Sequence, residues 1–309
     1  MTECIMREGR SDLLADMDLN DWVKRIDLAS PITERAVVVV GRHGSLPTTA
    51  WGSGVFIGDR LIMTARHVVQ DYWDFYNNPN VKMDQPGKKM ADFEMFFVQA
   101  PGNSAKPALW AARKISPCPY SDLALVSVVP VDELAKAQLP LRSLRLNILP
   151  PVKGEKIAGV GYPSTSVVAK TPDQVEFKLN PSISEGTVTK VFPEKRDSSE
   201  LSFPTYEIEA HFVGGMSGGP IFNEAGELCG LISSGYDEAP IEYGAVLWPM
   251  VGIRIDHPIP EADMEPPYTI IELARSGVMD VRGWEYVHAN AEPYVDSDGT
   301  RKIRLRNPQ

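Results

Sequence analysis

From Arg35 onward the apolar residues come in short runs separated by Gly, Pro, Asp and Asn: AVVVVGR, GVFIG, RLIMT, FEMFFVQ and LALVSVV, then KIAGVGY, GTVTKVF, YEIEA, LCGLISS and YGAVLW. Short runs rich in β-branched and aromatic residues and bounded by turn formers predict strands of a packed all-β body. They fall into two groups, about residues 34–130 and 150–250, with about six strands each, which makes two barrels or one sandwich. The proline-containing NILPPVKGE stands between the groups as a junction.

The flanks follow a different pattern. Residues 11–28 space Leu13, Leu14, Met17, Trp22, Val23 and Ile26 among charged residues, which predicts one or two short amphipathic helices in an N-terminal extension over 1–33. Residues 71–92, polar and turn-rich, read as a surface insertion between strands. Over 251–309, PPYTIIELARSGVM reads as a helix entered through proline and left through Gly277, with WEYVH and KIRLR as a closing hairpin around DSDG. This C-terminal extension is expected to pack on the main body, and either extension could dock a regulatory partner.

Composition narrows the class. Apolar residues make up 43% and charged residues 23%, and 24 Gly with 26 Pro favour many short strands and turns over long helices. The net charge of -10 and the lack of a Lys/Arg cluster argue against a nucleic-acid binder. Neither a signal-peptide pattern nor a run of about 18 apolar residues occurs, so no membrane partner is expected. Three cysteines, Cys4, Cys118 and Cys229, with no spacing that suits zinc, predict free thiols in a reducing compartment, and hence a cytoplasmic protein.

One stretch points to chemistry. GGMSGGP, residues 214–220, surrounds Ser217 with glycines, which allow consecutive backbone amides to turn inward. A serine hydroxyl that attacks a carbonyl needs such donors for the oxyanion, a base, and a group to orient the base. The amides of Gly215 and Ser217 are the expected oxyanion donors. Taken alone, the stretch is more often a plain glycine-rich turn between strands, and the motif by itself decides nothing.

Of the five histidines, His67 stands apart, because two strand-like runs lead into TARHVV and place its imidazole at a strand end. Asp122 precedes the apolar run ALVSVV, where a buried carboxylate needs a donor such as a histidine N–H. His43, His257 and His288 lack partners spaced for a metal, and none is assigned a role.

Taken in order, TARHV, DLAL and GMSGGP resemble the signatures of the trypsin-like, chymotrypsin-fold serine peptidases over about residues 34–250. The resemblance implies two six-stranded antiparallel β-barrels with the active site in the cleft between them. It implies His67 as general base, Asp122 as its orienting partner and Ser217 as nucleophile of a serine endopeptidase. Such an enzyme hydrolyses protein or peptide substrates through an acyl-enzyme and uses neither a metal nor an organic cofactor. The resemblance also places the pocket for the residue before the scissile bond at His211, Phe212, Ser233, Ser234 and Gly235, with Gly244 and Ala245 opposite.

Two departures bear on regulation. Met216 stands where zymogen-type members carry an activating aspartate, and Val68 where secreted members carry a disulfide cysteine, so the likeness is to intracellular or bacterial members. His211 replaces the aspartate that selects Arg or Lys; it would receive an acidic or polar side chain if protonated, or simply end a strand. Two other readings remain: a catalytically silent binding or scaffolding module on the same fold, and an α/β-hydrolase esterase, since G-M-S-G-G also fits G-x-S-x-G.

Overall fold

The run AVVVV has no polar positions because both faces of its strand are covered. In the computed structural model Val37 and Val39 point into one barrel with Phe56, Ile62, Phe97 and Trp110. Ala36, Val38 and Val40 pack outward against Val160, Tyr162, Phe177 and Leu179. The structure describes residues 3–6, 23–25, 32–43, 49–77, 93–102, 106–171, 174–235, 241–256, 259, 265–295, 299 and 301–306.

The first barrel closes in the order Ala36–His43, Thr49–Gly58, Leu61–Thr64, Ala124–Pro130, Ala108–Pro117 and Phe93–Gln99, the last pairing with the first. Its interior holds Trp110 edge-on to Phe56, with ring centroids 5.0 Å apart, and the Trp110 indole N–H donates to Gln99 Oε1 at 2.9 Å. The second barrel runs Lys156–Gly161, Ser182–Phe192, Thr205–Glu209, Ile241–Val246, Leu228–Gly235 and Pro220–Asn223, which returns to Lys156–Gly161. All ladders within the barrels are antiparallel, so of the two arrangements open to the sequence the chain forms two closed barrels, a chymotrypsin-like fold.

Each apolar run read from the sequence overlaps a strand. Two barrel strands lie outside those runs. Ala108–Pro117 buries Ala108 and Trp110 but carries exposed Arg113 and Lys114 on its second half, so its pattern breaks where it leaves the core. Pro220–Asn223 is too short to stand out.

The flanks differ more. Val23–Arg25 is a strand, not part of a helix, and it pairs with Ser182–Ser184. That edge is open because Thr205–Glu209 covers only residues 187–192 of the same strand, and an uncovered edge attracts pairing. Glu3–Met6 is also a strand, parallel to Gln174–Lys178; the rest of the helices expected over 11–28 falls outside the described residues. A helix, Arg66–Asn77, takes the start of the expected surface insertion, whose remainder is likewise outside them.

In the C-terminal segment the helix Ile270–Arg275 is capped by a reciprocal Thr269–Glu272 box, and Gly277 (φ +76°) turns the chain out of it, as expected. WEYVH is helical instead of extended: it opens the helix Trp284–Asn290, whose Val287 is buried. The hairpin forms one step later, between Ala291–Val295 and Arg301–Leu305.

Glu227 ties this segment to the barrels. Its carboxylate, 6% exposed, accepts from Asn223 at 3.0 Å, from Asn147 in the junction at 3.4 Å and from Arg282 at 3.3 Å. Glu227→Ala should therefore lower stability by about 1–3 kcal/mol, because Asn223, Asn147 and Arg282 lose the buried acceptor they share. Thermal unfolding measures this, and an unchanged midpoint would show the node to be idle. Among the described residues no helix is long and apolar enough to cross a membrane.

Candidate active site

The strands Leu61–Thr64 and Ala124–Pro130 are paired with Thr64 opposite Ala124. The chain leaving Thr64 thus runs beside the chain entering Ala124, and His67, in the first turn of its helix, meets Asp122. His67 Nδ1 lies 2.8 Å from Asp122 Oδ2, and the His67 backbone N–H donates to Oδ1 at 2.9 Å. Ser233 Oγ donates to the same Oδ2 at 2.6 Å. Asp122 is 4% exposed, and these three bonds replace the water it has lost.

Burial pushes the Asp122 pKa up, but the hydrogen bond and charge of His67, with the Ser233 hydroxyl, outweigh it and hold the carboxyl below its ordinary value. For His67 burial acts downward, and the hydrogen bond and charge of Asp122 reverse it, so the imidazole pKa is raised.

Ser217 approaches from the other barrel on a turn that only glycines allow. Gly215 has φ +95° and Gly218 φ +81°. A Cβ on Gly218 would strike the Ser53 carbonyl and the Thr64 hydroxyl of the first barrel. The Ser53 amide donates to the Ser217 carbonyl at 2.8 Å across the seam. A Cβ on Gly52 would meet both that carbonyl, at 2.7 Å, and Val68, at 2.8 Å, so the neighbour of His67 and the backbone of Ser217 abut one glycine.

The Ser217 hydroxyl donates to the Ser233 carbonyl at 3.4 Å, and among the described residues it makes no bond to His67. Within the turn Met216 N–H donates to Val213 O, Gly218 N–H to Ile232 O and Gly219 N–H to Met216 O. The amides of Gly215 and Ser217 have no acceptor among the described residues.

The sequence pattern of the trypsin-like peptidase domain matches residues 52–231, more than half of the 309 residues. The chain belongs to the trypsin-like peptidase family. Solved structures similar to this peptidase domain include the Rv3671c protease in an inactive form, at 18% identity over 71% of this chain and 86% of that one, with a TM-score of 0.41. Another is the apo MamO protease domain from Magnetospirillum magneticum, at 16% identity over 70% of this chain and 93% of that one, with a TM-score of 0.45. No curated protein matches the chain.

The esterase reading fails for this trypsin-like peptidase domain. A nucleophile elbow runs into a helix on a parallel sheet. Here Ser217 leads through Gly218 and Gly219 into the strand Pro220–Asn223 of an antiparallel barrel.

The residues expected to line a pocket have different surroundings. The Phe212 ring packs inward against Gly159 and Ile232, and Gly244 faces Tyr206 in the barrel interior. Ala245 is fully buried. Ser233 has its side chain on Asp122. Ser234 and Gly235 continue its strand, where Gly235 pairs with Glu242. His211 is half-exposed, with Nδ1 3.9 Å from Glu242 Oε1.

Glu242 was not singled out from the sequence. It is 3% exposed and accepts the Phe212 N–H at 3.0 Å. An acidic residue flanked by strand formers in IEYGAV was the available signal. Among the described residues no cluster of three His, Cys, Asp or Glu side chains is placed to hold a metal, and a cavity of about 520 Å³ between Asp59, Arg142 and Met279 lies away from these groups.

Proposed function

We propose that the protein is a serine endopeptidase. The observation that carries this is the buried Asp122 clamped to His67 at the seam where the Ser217 turn meets the first barrel. Asp122 accepts from Nδ1, which leaves the unprotonated Nε2 of neutral His67 to act as base.

In the proposed reaction Ser217 Oγ swings from the Ser233 carbonyl to His67 and attacks the peptide carbonyl carbon while its proton passes to Nε2. The amides of Gly215 and Ser217 receive the oxyanion. His67 then protonates the departing amine, leaving an acyl-Ser217, and the same base activates water to release the acid. This route draws on side chains and backbone alone.

A silent binding module finds support in the bond from Ser217 to Ser233 instead of to His67, although such bonds often form only with substrate in place. A fluorophosphonate probe and a peptide-library digest separate the two readings. The enzyme should be labelled at Ser217 and cleave peptides, while a binding module should do neither.

The digest also reads preference. Glu242 lies beside His211, so a substrate carboxylate there would meet a second carboxylate, and we expect acidic residues before the scissile bond to be disfavoured. A cytoplasmic site of action is supported by Cys118 and Cys229, both free and buried.

Activity should rise with pH as His67 loses its proton. Because its pKa is raised in the fold, the midpoint of the acid limb of kcat/KM should lie above the roughly 6.5 of a free imidazole. A pH–rate profile measures it; a midpoint well below that value would count against the His67–Asp122 pair as base.

A further inference from the structure

Gly214 is exposed and Gly215 sits at φ +95°, so the peptide that carries one oxyanion donor lies between two glycines, with no side chain to restrain it. The Gly215 pivot at its C-terminal end needs an anchor. Met216 is fully buried against Gly161 and offers no charge for an ion pair.

Ser53 faces this turn from the first barrel, and it is fully buried. Its Oγ lies 2.9 Å from the Tyr162 backbone nitrogen and 2.8 Å from the Gly215 carbonyl. The Tyr162 N–H can only donate, so the hydroxyl must accept there and its single proton is left for Gly215. The Ser53 backbone N–H meanwhile donates to the Ser217 carbonyl, and its own carbonyl accepts from Thr64 at 2.7 Å. One residue therefore grips the carbonyls on both sides of Met216. The Gly215–Met216 peptide is held at its far end too, where Met216 N–H donates to Val213 O at 3.0 Å.

We infer that Ser53 is a positioning residue: through its hydroxyl, held by Tyr162, it fixes the Gly215–Met216 peptide, and so anchors the Gly215 pivot from which the neighbouring Gly215 amide is directed beside that of Ser217. The inference rests on the peptidase reading, and it makes docking of the two barrels the event that assembles the oxyanion site. Without this bond the anchor on the C-terminal side of Gly215 loosens and the Gly215 amide can turn away.

The test compares Ser53→Ala with the unaltered protein. Per probe-labelled site, kcat on a peptide substrate should fall about 10- to 100-fold with KM within about twofold, the pattern of a lost transition-state donor. Inhibition by a peptide boronate, whose tetrahedral adduct occupies the oxyanion site, should weaken in step. The acid limb of the pH profile should stay in place, because the His67–Asp122 pair is untouched.

Independently of turnover, amide hydrogen exchange at Met216 should accelerate at least about tenfold relative to the barrel strands, as the locked peptide loosens. Unchanged exchange at Met216 overturns the inference, even in a protein that cleaves nothing. So does a loss of activity that disappears once labelled sites are counted, or one that moves the acid limb. An unaltered protein that neither labels nor cleaves overturns the peptidase reading alone.

Discussion

Ser217→Ala should lower kcat/KM by about four to six orders of magnitude while leaving the protein folded, as expected for the nucleophile of an acyl-transfer unit. The hydroxyl removed is half-buried, and its bond to the Ser233 carbonyl is long at 3.4 Å, so little native structure depends on it. Residual hydrolysis above the uncatalysed rate should persist, because the amides of Gly215 and Ser217 and the substrate contacts survive. Rates on a peptide taken from the library digest, together with thermal unfolding, measure both halves. Undiminished turnover in a folded variant would remove Ser217 from the chemistry.

Asp122→Asn should cost about 10⁴ in kcat, and for a different reason. Asp122 Oδ2 accepts from both His67 Nδ1 and Ser233, and Oδ1 accepts from the His67 backbone. An asparagine keeps one acceptor oxygen and presents an NH2 group in place of the other. If that group faces Nδ1, the imidazole proton is driven to Nε2, and Nε2 can no longer receive the proton of Ser217.

The same variant should change how stability depends on pH. The Asp122 pKa is depressed in the fold, so its contribution is present above the unfolded carboxyl value of roughly 3.9 and is lost as pH falls through the lower folded value. The His67 pKa is raised, so its contribution is full below roughly 6.5 and is lost as pH rises through the higher folded value. Both dependences should flatten in Asp122→Asn, and unfolding midpoints from acid to alkaline pH would show it. Curves parallel to those of the unaltered protein would mean that the pair is not coupled as the geometry indicates.

The strand runs were legible where both faces of a strand are buried, as in AVVVV, because uninterrupted burial leaves no polar positions to blur the pattern. Ala108–Pro117 was not, since its charged half projects from the barrel. Val23–Arg25 looked helical because the apolar positions over residues 11–28 follow a helical spacing in the sequence; its backbone nevertheless serves an open edge presented by residues distant in the chain. Ser233 was read as a pocket residue, and its bond to Asp122 depends on two barrels meeting. Ser53 carried no local mark at all, since a serine in a glycine-flanked strand position is ordinary until Gly215 and Tyr162 are set against it.

By itself the sequence determined the residue types and their local settings: a serine among glycines able to take positive φ, a histidine at a strand end, and a carboxylate ahead of a buried strand. These depend on dihedral and burial preferences that act over a few residues. Tertiary structure alone decided that two barrels close and dock so that Ser53 reaches the Ser217 turn, that Ser233 joins Asp122 and that Glu242 lies beside His211. Those contacts join residues far apart in the chain, and nothing in the short-range preferences of either partner encodes the other.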